Sequence, residues 1–272
     1  MEVVIVAEPS AAGALVADHI EHLVRSKPNA AIGLATGSSP LEIYRSLIER
    51  YRTGRVSFAQ TSMYMLDEYL GLSEGHDQSY RAFLHTELLD HLDAPSEQLY
   101  GPDVHATDPR VACAEYEARL VASPVDLQIL GVGSDGHIGF NEPTSSLSSR
   151  TRVKTLTRQT REDNARFFDS IDDVPHHVIT QGIGTILDAR HVVLIACGAA
   201  KSGAVSSLVE GPLTAMFPAS ALQLHPQATV VVDEAGAGML RLAEYYRDVY
   251  ANRPAWQKLP DRAGNEANSG HQ

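Results

Sequence analysis

Short β-branched runs alternate with helical patterns along most of this chain, and no other feature limits its fold so sharply. Val3 to Val6 is too short and too rich in valine and isoleucine for a good helix, so it reads as a buried parallel strand. Ser10 has the position of an N-cap, opening a helix to about Ser26 in which Leu15, His19 or Ile20 and Leu23 recur at helical spacing. Ala31 to Ala35 repeats the strand, and Pro40 suits the first turn of a helix to about Arg52. Ser62 to Leu66 is a third strand candidate. Helical patterns occupy Gln78 to Leu92 and Pro109 to Val121; Val125 to Leu130 and Thr151 to Thr157 read as strands. His191 to Ala196 and Ala228 to Val232 are further apolar strands that lead into helices at Ala199 to Glu210 and Ala235 to Tyr250. The alternation predicts an α/β fold, an open and mainly parallel Rossmann-like sheet with helices on both faces. Ligands of such folds sit outside the carboxyl ends of the strands.

The 272 residues leave room for one large domain, placed at 1–252. Within it, Arg158 to Pro175 is polar, has a short helical stretch around Arg161 to Phe168 and lacks a strong apolar stripe; it is read as a mobile flap. Residues 253–272 are polar and turn-rich without periodicity, and are read as a flexible C-terminal tail.

Charge narrows the partners. With 22 Lys+Arg against 34 Asp+Glu, the net charge is −12, and no basic block offsets it locally. That excludes the broad phosphate-backbone footprint of a nucleic-acid binder. A compact anion can still be held by a few backbone amides and one or two cations, because that attraction is local. Cys113 and Cys197 lie far apart and fit neither a disulfide framework nor a CxxC pattern, so a reducing, cytoplasmic setting is expected. Met1 to Ala7 is too short for a signal peptide and carries Glu2 where positive charge belongs. No apolar stretch approaches about 18 residues, so no membrane span is expected.

The chemically dense segment runs from Leu130 to Pro143, directly after a buried strand, and holds Asp135, His137 and Glu142 on a glycine-rich loop. Gly131, Gly133 and Gly136 match GxGxxG, but the dinucleotide fingerprint needs a helix opening at the third glycine, which Asn141-Glu142-Pro143 blocks. A carboxylate beside an imidazole fixes its tautomer and raises its basicity, which suits proton transfer. Taken singly, the plainer reading is a turn cap, a packed histidine and a solvated carboxylate. Thr36-Gly37-Ser38-Ser39-Pro40, between a strand and a helix, offers small residues, amides and hydroxyls for an anion; Arg166 and Lys201 are candidate cationic partners, with solvated surface charge as the alternative. Asp67 and Glu68 follow the third strand candidate. The remaining histidines form no HExxH or other metal spacing, so no metal is expected.

In combination, Thr36-Gly37-Ser38-Ser39-Pro40, Leu66-Asp67-Glu68-Tyr69, the run from Gly133 to Pro143, the run from Ser145 to Arg152 and Leu222-Gln223-Leu224-His225-Pro226 resemble the glucosamine-6-phosphate deaminase (isomerising) family, in order, over about Val3 to Tyr246. The resemblance implies conversion of glucosamine 6-phosphate and water into fructose 6-phosphate and ammonium, without an organic cofactor. It assigns the C2 proton to Asp67 and ring opening to His137, held and tuned by Asp135 and Glu142. It places the sugar phosphate on Thr36, Gly37, Ser38, Arg166 and Lys201, under a closing flap. Two other classes share the fold: a non-catalytic sugar-phosphate sensor, for which no helix-turn-helix segment is spare, and a 6-phosphogluconolactonase-like esterase.

Arg152 and Lys154 are two apart in a strand and so point to one face, with the hydroxyls of Ser145 and Ser146 nearby in sequence. A solvated basic edge is the alternative. By resemblance, Ser145, Arg152, Lys154 and Thr155, and more loosely Tyr245, match positions at which allosterically activated members bind N-acetylglucosamine 6-phosphate between subunits. Regulated bacterial members are commonly hexamers, which makes a homo-oligomer the expected state.

Overall fold

Seven of the strands form one parallel sheet. The computed structural model describes residues 1–254 and 257. In chain order its elements are β1 (Glu2–Val6), α1 (Pro9–Ser26), β2 (Ala31–Leu34), α2 (Leu41–Arg52), β3 (Ser62–Met65), β4 (Asp67–Leu70), α3 (Tyr80–Glu87), β5 (Leu99–Tyr100), α4 (Pro109–Ala122), β6 (Leu127–Leu130), β7 (Arg152–Thr155), α5 (Arg158–Asn164), β8 (His177–Thr180), α6 (Ile183–Leu187), β9 (Val192–Ala196), α7 (Ser202–Glu210), β10 (Ala228–Asp233) and α8 (Ala243–Ala251). The large sheet has the order β1-β10-β9-β6-β2-β3-β5, and a second sheet of three antiparallel strands has the order β4-β8-β7. Strand side chains alternate between two buried layers, as a doubly covered sheet requires. Val4, Ile32, Leu34, Val193 and Ile195 join the layer under α1, α2 and α3. Val3, Ala31, Val192 and Leu194 join the layer that holds Tyr116 and Leu120 of α4, Ile186 of α6 and Leu208 of α7.

The α/β architecture with a mainly parallel sheet is therefore as the alternation predicts, and the differences have local causes. Helix α1 starts at Pro9 with Glu8 as its N-cap, not at Ser10, whose hydroxyl instead donates to Glu8 Oε1 at 2.8 Å; proline's missing N–H makes the first helical position its natural place. The third strand ends at Met65, and Asp67-Glu68 open a strand of their own. Tyr116 Oη and Gln181 Nε2 both donate to the Met65 carbonyl, at 2.6 and 2.9 Å, which takes the place of a further ladder bond and lets the chain leave the sheet. The expected strand over Thr151 to Thr157 is the edge of the small antiparallel sheet, paired with β8. The expected helix over Ala235 to Tyr250 forms only from Ala243, because Asp233 captures the amides of Gly236 and Gly198 at 2.7 and 2.8 Å and turns the chain first. Of the expected tail, all but Arg253, Pro254 and Gln257 lies outside the described residues. Among the described residues, no helix is long and apolar enough to cross a membrane.

Candidate active site

The strand order reverses between β2 and β6: β2 leads on to β3 and β5 on one side, whereas the later strands β6, β9 and β10 lie on the other. At such a switch point the loops that leave the carboxyl ends diverge and open a crevice. Here a cleft of about 630 Å³ is lined by Thr36, Gly37, Ser38 and Ser39 after β2, Asp67 and Tyr69 of β4, Gly131 to Ser134 and His137 after β6, and Lys201 before α7. Thr160, Asn164, Arg166, Phe167 and Phe168 of the flap complete its wall.

Asp67 is 5% exposed and faces this cleft. Burial pushes its carboxyl up to about 8, with the neighbouring Glu68 charge adding to the rise. The backbone of Gly139 closes over it: a Cβ there would lie 2.9 Å from Thr180 Oγ1 and 3.4 Å from Asp67 Oδ2. Thr180 Oγ1 in turn accepts the Phe140 amide at 3.2 Å, which pins that loop. Glu68, on the opposite face of β4, has a different task. Its carboxylate accepts the amides of Tyr69, Tyr80 and Arg81 at 2.8, 2.9 and 2.9 Å and so anchors the first turn of α3. Burial raises the Glu68 carboxyl, against which these amides pull.

His137 Nδ1 lies 2.7 Å from Asp135 Oδ1. With the Nδ1 proton assigned to that bond, Nε2 is left unprotonated and free to accept. The ring rests on Gly133, where any Cβ would stand 2.2 Å from an imidazole carbon, so only glycine allows this pose. Lys201 Nζ donates to the Val132 carbonyl at 2.7 Å, which directs the ammonium into the cleft. Burial lowers the Lys201 pKa, and nearby Asp135 opposes that shift. Arg166 stacks its guanidinium 4.7 Å from the Phe167 ring centroid, within the cleft wall. Glu142 is placed differently from its neighbours on the loop: the described hydrogen bonds join its carboxylate to Thr160 of the flap and to Thr157, which caps the flap's first helix, not to His137.

A family model described as glucosamine-6-phosphate isomerases/6-phosphogluconolactonase matches residues 8–231. The chain belongs to this family. Within it, the chain is 58% identical over 261 residues to the glucosamine-6-phosphate deaminase of Streptomyces coelicolor, covering 95% of this chain and all of the relative. It is 57% identical over 260 residues to that of Pseudarthrobacter chlorophenolicus, with the same coverage. A solved structure of a monomeric glucosamine-6-phosphate deaminase, 39% identical, superposes with a TM-score of 0.85 over 88% of this chain and all of that one. The 6-phosphogluconolactonase of Trypanosoma brucei, 20% identical with a TM-score of 0.70 over 87% of this chain and 97% of that one, shares the fold alone.

Set in this family fold, Thr36, Gly37, Ser38, Asp67, His137, Arg166 and Lys201 meet at one cleft, and Asp135 reaches it through His137. The remaining candidates lie elsewhere. Arg152 and Lys154 share a face of β7, Thr155 takes the other face, and Ser145 is buried with its hydroxyl oxygen unpartnered. Ser146 bonds Ser148, and Tyr245 is 60% exposed on α8, which packs against β1. Sequence reasoning missed the aromatic wall of Tyr69, Tyr80, Phe83 and Phe140, whose tyrosine hydroxyls meet at 3.1 Å. Nothing in its spacing separates such a wall from core; the one usable signal was Ser79, which caps α3 by accepting the Ala82 amide at 3.1 Å and points to a helix starting at the cleft rim.

Proposed function

We propose that this chain converts glucosamine 6-phosphate and water into fructose 6-phosphate and ammonium. The observation that carries the reading is Asp67, a buried carboxyl held near the neutral range in the same cleft as the His137–Asp135 pair. A 2-amino aldose becomes a ketose when the C2 proton moves to C1; the resulting 2-imine then takes up water and releases its nitrogen. The carrier of that proton must be able both to accept and to return it near neutral pH, and a solvated aspartate is too weak a base to do so. His137 Nε2 takes the anomeric hydroxyl proton and hands it to the ring oxygen, which opens the sugar. Asp135 keeps the imidazole in the accepting tautomer and steadies its charged form. The amides of Thr36, Gly37 and Ser38, with Lys201 and Arg166, hold the phosphate, and the flap excludes water from the enolic intermediate. Ester hydrolysis, the rival reading, has no use for a buried base at C2.

One assay separates them. Ammonium and fructose 6-phosphate should appear in equal amounts from glucosamine 6-phosphate; hydrolysis of 6-phosphogluconolactone without ammonium release would overturn the reading. The same proposal takes the single chain as the working unit, in line with the monomeric relative; the hexamer implied by the regulated members is the alternative that light scattering decides. Activation by N-acetylglucosamine 6-phosphate rests on Arg152 and Lys154, and is read from whether the acetylated sugar shifts the substrate saturation curve.

A further inference from the structure

Glu142 stands five residues after His137 on the same loop, yet its carboxylate is committed to the flap. Glu142 Oε1 accepts from Thr160 Oγ1 at 2.5 Å and from Thr157 Oγ1 at 3.2 Å, and the two hydroxyl oxygens are themselves 2.8 Å apart. Thr157 also accepts the Thr160 amide at 3.2 Å, so one short network joins the carboxylate to the first turn of α5. The carboxylate is rigidly presented. Glu142 opens a turn in which the Ser145 amide donates back to its carbonyl at 3.0 Å, with Pro143 next and Thr144 at φ 75°. Proline followed by a left-handed residue is the pattern of a type II turn, and a β-branched residue there is strained, so its surroundings must over-determine it. The Thr144 amide accordingly donates to the Ala215 carbonyl at 2.8 Å. Thr160 itself lines the cleft, and Arg166 follows it on the flap.

We propose that Thr160 is a positioning residue, whose hydroxyl holds Glu142 and thereby couples closure of the flap to the setting of the His137 loop. This rests on the function proposed above. A hydroxyl that donates to a carboxylate is among the stronger side-chain hydrogen bonds. While the flap is docked, Glu142 is fixed and Arg166 stays over the cleft; when it lifts, both donors leave together and the carboxylate is released on the His137 side.

The test has two arms. Thr160→Val keeps the side-chain shape and removes the donor. It should lower kcat about tenfold, Thr160→Ser should restore it, and Thr160→Val should cost nothing further in a Glu142→Ala background, which has no side-chain acceptor. Wild-type kinetics, a change in KM alone, or an equal further loss in the Glu142→Ala background would each overturn the proposal. The second arm needs no turnover. Amide hydrogen exchange over residues 158–168 should quicken in Thr160→Val and in Glu142→Ala, and no further in the double variant. Exchange that stays at the wild-type rate in both single variants breaks the link. A wild-type protein that releases no ammonium refutes the enzyme reading instead, and leaves the exchange arm to judge the contact.

Discussion

Asp67 shows how one residue's surroundings set its chemistry. Among the strand-end carboxyls it is buried without a cation beside it, and its pKa of about 8, against an ordinary 3.8, follows from desolvation first and Glu68 second. It therefore holds a proton at neutral pH. On the proposed mechanism, a substrate ammonium at C2 would bring positive charge within reach and favour the ionised base, so that the substrate itself would complete the catalyst. Asp67→Asn should cut ammonium release by about 100-fold or more while sugar-phosphate binding stays within a few fold, because an amide keeps the shape but accepts no proton. Its effect on stability has the opposite sign. Between pH 3.8 and about 8 the native state keeps the Asp67 proton that the unfolded chain releases, so stability is lost as pH rises through this window and the cost is constant above it. The asparagine variant escapes that cost. Its melting temperature should equal the wild type's near pH 4 and exceed it by several degrees near pH 9, which thermal denaturation at the two pH values reads directly. Equal melting at both would mean that Asp67 is solvated.

At the scale of elements, what could be read in the sequence was what a local pattern encodes. The valine- and isoleucine-rich runs of β1, β9 and β10 can only be buried strands, and the βα alternation then dictates a parallel sheet. The short strands β4 and β8 carry no such mark: Asp67-Glu68-Tyr69-Leu70 and His177-Val178-Ile179-Thr180 are strands because they pair with each other across more than a hundred residues. Propensity cannot report a partner so distant. Hence the acidic pair was legible as chemistry and the resemblance singled out Asp67, but the structural task of Glu68 was not legible. Neighbours in a strand face opposite ways, which sends Asp67 into the cleft and Glu68 under α3. Glu68→Gln tests the second role. Three amides converge on the two carboxylate oxygens, and a glutamine offers a single acceptor oxygen and a donor that opposes the Arg81 amide. The expected loss is about 1–3 kcal/mol, seen as a lower midpoint in urea with an unchanged slope. An unaltered midpoint would mean that α3 is held from elsewhere.

For the whole molecule, the site is a product of topology. Thr36, His137 and Lys201 belong to three separate connections, those that follow β2, β6 and β9, and they meet because these strands are neighbours in the sheet although not in sequence. The glycine-rich loop and the small-residue turn announced a ligand; the aromatic wall and the contact between flap and Glu142 exist only after closure of the fold. A net charge of −12 repels a phosphate dianion at long range, so on the proposed reading affinity comes from the cations and backbone amides inside the cleft. This predicts a localised dependence. An open-chain aminoalditol 6-phosphate lacks the aldehyde and cannot isomerise, so it binds without turnover. At a concentration about 100 times its Kd it should stabilise the native state by about 2.7 kcal/mol, which raises the melting temperature of a chain this size by about 5–10 °C. The unphosphorylated aminoalditol at the same concentration should leave the melting temperature where it was. Arg166→Ala and Lys201→Ala each remove a charged donor worth about 1.5–3 kcal/mol, so either should shrink the shift to less than half at the same ligand concentration, whereas an alanine at Arg45, exposed on α2 away from the cleft lining, should not. A full shift in both cleft variants would place the phosphate outside this cleft and detach the reading of Thr36, Gly37 and Ser38 along with it.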